Sequence, residues 1–214
     1  MPHNPDNYQY PSVTTIIGIL RKPALEYYFK THTPEFIEAE GEKAKQIGTA
    51  IHDAIFNHIE KTGLDTETNY PDEVKICVES FLKFKAETPE IKLNRSEILV
   101  ENDEFKYSGT LDCVGEIDGE LVIVDWKTAK GELKIYDEAK YQVSAYVKAY
   151  NETNGTDIKK AVIVAIGKDA VGFARLDLTA EEIDKAFEVF KHAAAIYYLQ
   201  RKTGLKKKKA EAKI

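Results

Sequence analysis

Two aspartates and a lysine in mid-chain have the types and spacing for chemistry. Gly109-Thr110-Leu111-Asp112 runs through Asp118-Gly119 to Val124-Asp125-Trp126-Lys127. Asp118-Gly119 is the strongest short hairpin signal in the chain and suits a two-residue type I′ turn. Such a turn pairs Ile117 with Glu120, and the same register carried on sets Asp112 opposite Asp125. Opposed Cβ atoms of an antiparallel pair lie about 4.5–5.5 Å apart on one face. Lys127, two residues beyond Asp125, shares that face. Like charges placed directly opposite destabilise a sheet, the more so among apolar neighbours such as Val114 and Ile123. Two carboxylates converging on one point are what a divalent cation needs, and with oxygen ligands the natural occupant is Mg²⁺ or Mn²⁺. The competing reading is a solvent-facing sheet edge where both aspartates are hydrated and Lys127 pairs with one. The pattern alone leaves both open.

The elements that would position these residues follow from periodicity. Pro11-Ser12-Val13-Thr14-Thr15 leads into a short helix with Thr14 or Thr15 as its cap. Pro23 opens a second helical stretch over 24–30. A longer helix is predicted over 42–61, with Ile47, Ile51, Ala54, Ile55, His58 and Ile59 at helical spacing and Gly63 ending it. Another spans 72–86, its buried stripe being Val74, Cys77, Val78, Phe81 and Leu82. Beyond Pro89 the period changes to strands over 97–101, 106–117 and 120–127. A helix over 136–151, strands over 161–166 and 172–176, and a helix over 179–201 complete the order. Thr179 with Glu182 forms a capping box at the start of that last helix. The fold class is therefore α/β (α+β), a central mixed sheet flanked by helices. One domain is expected over 1–214: a mainly helical part at 11–90, a sheet-and-helix core at 91–200 and a basic tail at 201–214.

Composition narrows the function classes. At 214 residues with 43% hydrophobic content, the chain can bury a substantial core. A mean hydropathy of -0.40 and the lack of any long apolar run, with Ala161 to Ile166 only strand-sized, exclude a membrane-spanning helix. Cys77 and Cys113 supply neither a four-thiolate cluster nor a disulfide framework, and read as small buried residues in a reducing compartment. Met1-Pro2-His3-Asn4-Pro5-Asp6 resembles neither a secretory signal nor a transit peptide, so a soluble cytoplasmic protein is expected. Net charge is -6, yet 201–214 holds seven basic residues and one acidic, leaving -12 on the remainder. Lys206–Lys209 is either a solvated tail or an arm that meets phosphates. No G-x-x-x-x-G-K-[ST] loop is present, so no motor is fused within this sequence.

In company, these residues resemble a known family. Gly109-Thr110-Leu111-Asp112 followed by Asp125-Trp126-Lys127 looks like the second and third motifs of the PD-(D/E)XK nuclease superfamily. Gln142-Val143-Ser144-Ala145-Tyr146 matches the Q-x-x-x-Y motif of its RecB-type branch, and Gly48-Thr49-Ala50-Ile51-His52 resembles that branch's upstream G-x-x-x-H. Glu97 sits where these nucleases often carry a further acidic residue. Glu101 competes for that place, with Glu97 preferred as lying further into the strand. Pro11-Ser12-Val13-Thr14-Thr15 is similar to the opening of the phage and mitochondrial genome-maintenance exonucleases of this branch. The resemblance runs from about Pro11 to Tyr150.

The resemblance implies a restriction-endonuclease-like core and a metal-dependent DNA exonuclease. Its substrate would be single-stranded DNA or duplex ends in replication, recombination or repair, in the cytoplasm of a bacterial or phage-infected cell. A separate helicase or recombination protein would be its partner. A structure-specific endonuclease on the same fold and a non-catalytic nucleic-acid-binding module are the alternatives. Asp112, Asp125 and Glu97 are then the acidic metal ligands, His52 a further ligand favouring Mn²⁺, and the Trp126 carbonyl a possible completion of the shell. Lys127 would orient or deprotonate the attacking water. Gln142 and Tyr146, at i and i+4, share a helical face and would orient Lys127 and touch substrate. The Trp126 ring faces away from Asp125 and reads as core. His52 outside the motif would read as an ordinary helical histidine, as His3, His32, His58 and His192 do. Tyr8, Tyr10, Tyr27, Tyr28 and Phe29 are expected mostly in the core, with any that line a groove available to stack on bases.

Overall fold

The computed structural model describes residues 9–21, 23–60 and 70–202. Four helices come first: α1 (Val13–Ile17), α2 (Pro23–Thr31), α3 (Pro34–Glu60) and α4 (Asp72–Glu87). Three strands follow, β1 (Ile91–Asn102), β2 (Tyr107–Ile117) and β3 (Glu120–Ala129), then α5 (Asp137–Asn154), β4 (Ala161–Gly167), β5 (Phe173–Leu178) and α6 (Ala180–Lys202). The five strands lie side by side in chain order, antiparallel except for β3 and β4, which run parallel with α5 as the crossover between them. This is the mixed, helix-flanked sheet that periodicity predicts.

Each face of the sheet has its own core. On one face, α1, α5 and α6 pack Val13, Ile16, Val143, Val147 and Phe190 against Leu111, Ile123 and Ile163. On the other, α3 and α4 pack Ile51, Ile55, Phe81 and Phe84 against Val122, Val124, Trp126 and Val164. Sandwiched between the two, β4 is buried along its whole length, which is why it reads as an unbroken apolar run. Cys77 and Cys113 are free and buried. Among the described residues no helix is long and apolar enough to cross a membrane.

Several boundaries differ from expectation. Helix α3 begins at Pro34, well before residue 42, because its first two turns are solvent-exposed and their apolar residues, Phe36 and Ile37, start no helical repeat. Residue 61 and Gly63 lie outside the described residues. Ser12, not Thr14 or Thr15, caps α1, its Oγ accepting the Thr15 N–H at 3.1 Å. Strand β1 starts at Ile91 because it is an edge strand, where Lys92, Asn94 and Arg95 can face water. Leu82 is 39% exposed, and Ser80 and Phe84 take its place in the stripe. The N-terminal aromatics are not mostly core: Tyr27 is 70% and Phe29 50% exposed, while Tyr8 lies outside the described residues. The capping box of α6 is present, with Thr179 Oγ1 and Glu182 exchanging hydrogen bonds.

The central hairpin obeys its turn. Asp118 (φ 53) and Gly119 (φ 84) both adopt left-handed backbone, the type I′ signature. The ladder then pairs Ile117 with Glu120 and continues to Cys113 with Val124. There it stops, so Asp112 and Asp125 are not a rung of it. Replacing Gly119 by alanine puts a Cβ on a left-handed residue and should cost about 1 kcal/mol. Thermal denaturation should show Tm lower by roughly 2–4 °C.

Candidate active site

The place where the β2–β3 ladder ends is where the acidic residues gather. The buried Asp112 turns its Oδ2 to the Trp126 N–H at 2.7 Å, so a side chain bridges the two strands. Its Oδ1 lies 3.6 Å from His52 Nδ1, and His52 Nδ1 is 3.4 Å from Glu97 Oε1. One donor atom from each of His52, Glu97 and Asp112 falls within 4.8 Å of the other two. An ion held at about 2.1 Å by each donor spans atoms up to about 4.2 Å apart, so small side-chain rotations close the site. The donors are two carboxylates and one imidazole without a thiolate, a set that suits Mg²⁺ or Mn²⁺.

Glu97 reaches this cluster through an unusual backbone. Within β1 it has φ 54, a left-handed conformation that a glutamate rarely adopts and that costs on the order of 1–3 kcal/mol. The residue before it is clamped. Glu60 Oε1, at the last position of α3, accepts the Ser96 N–H at 2.8 Å and the Ser96 hydroxyl at 3.2 Å. Helix α3 thus supplies His52 and, two turns on, the anchor that holds β1 beside it. Sequence reading missed Glu60 and Ser96, because a helix-terminal glutamate carries no signal beyond solvation. Glu101 lies elsewhere, accepting from Ser108 Oγ at 3.1 Å and the Gln9 N–H at 3.3 Å.

Asp125 is fully buried one strand over. Lys127 Nζ lies 2.5 Å from its Oδ2 as an ion partner, but off the line of a hydrogen bond, so neither carboxylate oxygen has an aligned donor. Burial pushes the Asp125 carboxyl up, Lys127 opposes the shift and the Asp112 charge adds to it. Burial draws the Lys127 ammonium down, but Asp125 and Asp112 together more than offset it and hold it protonated. The Asp112 charge, with Glu97 behind it, raises His52 to about 9 against the pull of burial. Three carboxylates gathered where β2 and β3 part are balanced by an imidazolium and an ammonium. A dication that takes His52 as ligand must expel its proton.

The remaining predicted residues frame the site. Gln142 Nε2 donates to the Tyr146 hydroxyl at 3.0 Å. Gln142 also shares with Lys127 the wall of a cavity of about 620 Å³. Tyr146 lies against Gly109, where an added Cβ would come within 2.7 Å of its ring. The glycine of the Gly109–Asp112 segment is therefore a packing requirement. A Cβ at Gly48 would meet nothing within 4 Å, so packing imposes no such demand there. The Trp126 ring is core, edge-on to Phe81 and Phe84 at 5.5 Å each. Its carbonyl accepts a long 3.4 Å bond from Lys127 Nζ. Other histidines stand apart: His58 beside Lys85 and Phe81, His32 between Tyr28 and Phe36, His192 exposed and His3 outside the described residues.

Acids and a lysine thus gather where β2 and β3 part, inside a mixed sheet flanked by helices. The chain belongs to the PD-(D/E)XK nuclease superfamily, whose family model matches residues 70–203. It is 24% identical over 182 residues to mitochondrial genome maintenance exonuclease 1 of Xenopus tropicalis, covering 76% of this chain and 50% of that protein. The human protein of the same name is 36% identical over 78 residues, covering 34% of this chain and 23% of its own. The chain thus spans about half the length of the Xenopus relative. A crystal structure of a protein from Eubacterium rectale, described as a candidate exonuclease, superposes with a TM-score of 0.61 at 13% identity. That match covers 95% of this chain and 88% of the other, and it establishes the shared fold.

Two outcomes follow from this geometry. The His52 ion pairs stabilise the metal-free chain fully below pH about 6.5 and fade as pH rises through about 9. Stabilisation by saturating Mn²⁺ should therefore grow from about pH 6 to about pH 8.5 in scanning fluorimetry. His52→Ala should flatten that slope, and a flat wild-type profile would contradict the donor set. Gly109→Ala forces the buried Tyr146 ring to move and should cost about 1–3 kcal/mol in urea unfolding.

Proposed function

We propose that this chain is a metal-dependent DNA exonuclease, hydrolysing phosphodiester bonds at single-stranded DNA or DNA ends in replication, recombination or repair. The convergence of His52, Glu97 and Asp112 beside the Asp125–Lys127 pair carries this reading. Membership of the nuclease superfamily and the naming of the vertebrate relatives as exonucleases support it.

His52, Glu97, Asp112 and Asp125 would hold Mg²⁺ or Mn²⁺, with the Trp126 carbonyl able to add to the shell. Bound there, the ion would supply charge stabilisation at the phosphate and a lowered water pKa. Lys127, kept as an ammonium by its acidic neighbours, places a positive donor where negative charge develops in the transition state and orients the attacking water. In that protonation state it acts as a donor rather than a base. Asp125 holds Lys127 in place from a buried position. Gln142, fixed by Tyr146, presents its remaining polar atoms to the cavity that Lys127 borders. The exposed rings of Tyr27 and Phe29 offer stacking surfaces that suit unpaired bases better than a closed duplex.

The test is cleavage of an end-labelled single-stranded oligonucleotide with Mg²⁺ or Mn²⁺, alongside a covalently closed single-stranded circle. The linear strand should be degraded and the circle left intact. Lys127→Ala should lower kcat by about 10²–10⁴-fold. Activity that persists in chelator or without Lys127, or a cut circle, would contradict the proposal.

A further inference from the structure

The 620 Å³ cavity beside Lys127 is larger than a metal site needs. It opens between α1, α2, the end of β3 and the turn that leads into α5. Its walls are of two kinds. Tyr28 from α2 and Tyr136 from the turn before α5 supply flat aromatic surface, and Tyr136 is 56% exposed. Lys127, Lys130 and Lys134 supply cations, against the carboxylates of Glu132 and Glu138. Lys134 Nζ sits 5.3 Å from the centroid of the Tyr136 ring, so charge and ring are presented together. Tyr28 also begins a column of rings leading away from the cavity: Tyr28 to His32 at 4.3 Å, then His32 to Phe36 at 5.0 Å and nearly parallel.

We infer that this cavity binds one unpaired nucleotide of the substrate strand next to the scissile phosphate, its base stacked on Tyr136 and Tyr28 and its flanking phosphates met by Lys130 and Lys134. The inference rests on the nuclease reading and names the strand-binding surface of that site. Its volume falls in the range of pockets that take small organic ligands, which accommodates a nucleotide but not the two backbones of a duplex. Stacking on a ring tolerates any base, because each base has a π-face, and a non-specific exonuclease needs that tolerance. Continuity places the occupant: Lys127 both lines the cavity and pairs with Asp125 at the acidic site.

The experiment uses the whole chain and a short single strand in which each nucleotide in turn is made abasic. Binding is read by fluorescence anisotropy in chelator, and cleavage as KM and kcat with Mn²⁺. At one position near the cut end, loss of the base should weaken wild-type binding about tenfold. Tyr136→Ala should weaken binding of the intact strand to a similar degree and raise KM with kcat within about twofold. It should add nothing at that one abasic position. Tyr136→Phe, which keeps the ring, should restore wild-type values. Because Tyr136 is exposed, neither variant removes core packing. Wild-type binding and KM in Tyr136→Ala, or losses that add equally at every abasic position, would overturn the inference. A chain that binds with this abasic pattern yet cuts nothing upholds the cavity and overturns the nuclease reading. A chain that cuts with no abasic pattern does the reverse.

Discussion

Negative charge concentrated where β2 and β3 part is the constraint around which the rest of the molecule is arranged. Asp112 and Asp125 are both buried, and Glu97 approaches them from the neighbouring strand. Carboxylates taken out of water repel one another and lose hydration, so the fold must return that energy through cations and donors. It does so with the Lys127 ammonium, the His52 imidazolium and the Trp126 N–H. The same arrangement explains the direction of every resolved shift in the cluster. Burial raises Asp125, while acidic neighbours raise His52 and Lys127.

Rigid elements hold that arrangement from both sides. The type I′ turn and the rungs up to Cys113–Val124 hold β2 and β3 together, and the end of their ladder frees Asp112 to bridge to Trp126. Beneath the site, Trp126 is wedged between Phe81 and Phe84 of α4, which fixes the backbone that carries Asp125 and Lys127. On the other face, Tyr146 against Gly109 brings α5 close to β2 and carries Gln142 to the cavity. Beside α4 on its own face of the sheet, α3 brings His52 to the site and anchors Ser96 through Glu60, next to the left-handed backbone at Glu97. Backbone strain at that position is affordable because two independent elements determine it.

Residue order alone was enough for the hairpin, its register near the turn and the mixed sheet. These depend on local rules: a turn that needs two left-handed residues, side chains that alternate along a strand, and helices whose apolar positions recur every three or four residues. Asp112, Asp125 and Lys127 were legible because the turn relates them to one another, whereas His52, Glu97, Gln142 and Tyr146 stood out only through their resemblance to the family's motifs. Exposure hid the start of α3 and the first half of β1, since a solvated helix turn and an edge strand need no regular apolar period. The tertiary structure alone decided that the β2–β3 ladder stops short of the two aspartates, so that they are joined through a side chain rather than paired across a rung. It also decided that Glu60 clamps Ser96 and that Tyr27 and Phe29 stay in solvent, and it set the distances among His52, Glu97 and Asp112, which only the family resemblance had grouped. Those contacts join segments tens of residues apart. Their geometry is set by how α3 and α4 pack across the sheet, which no local spacing encodes.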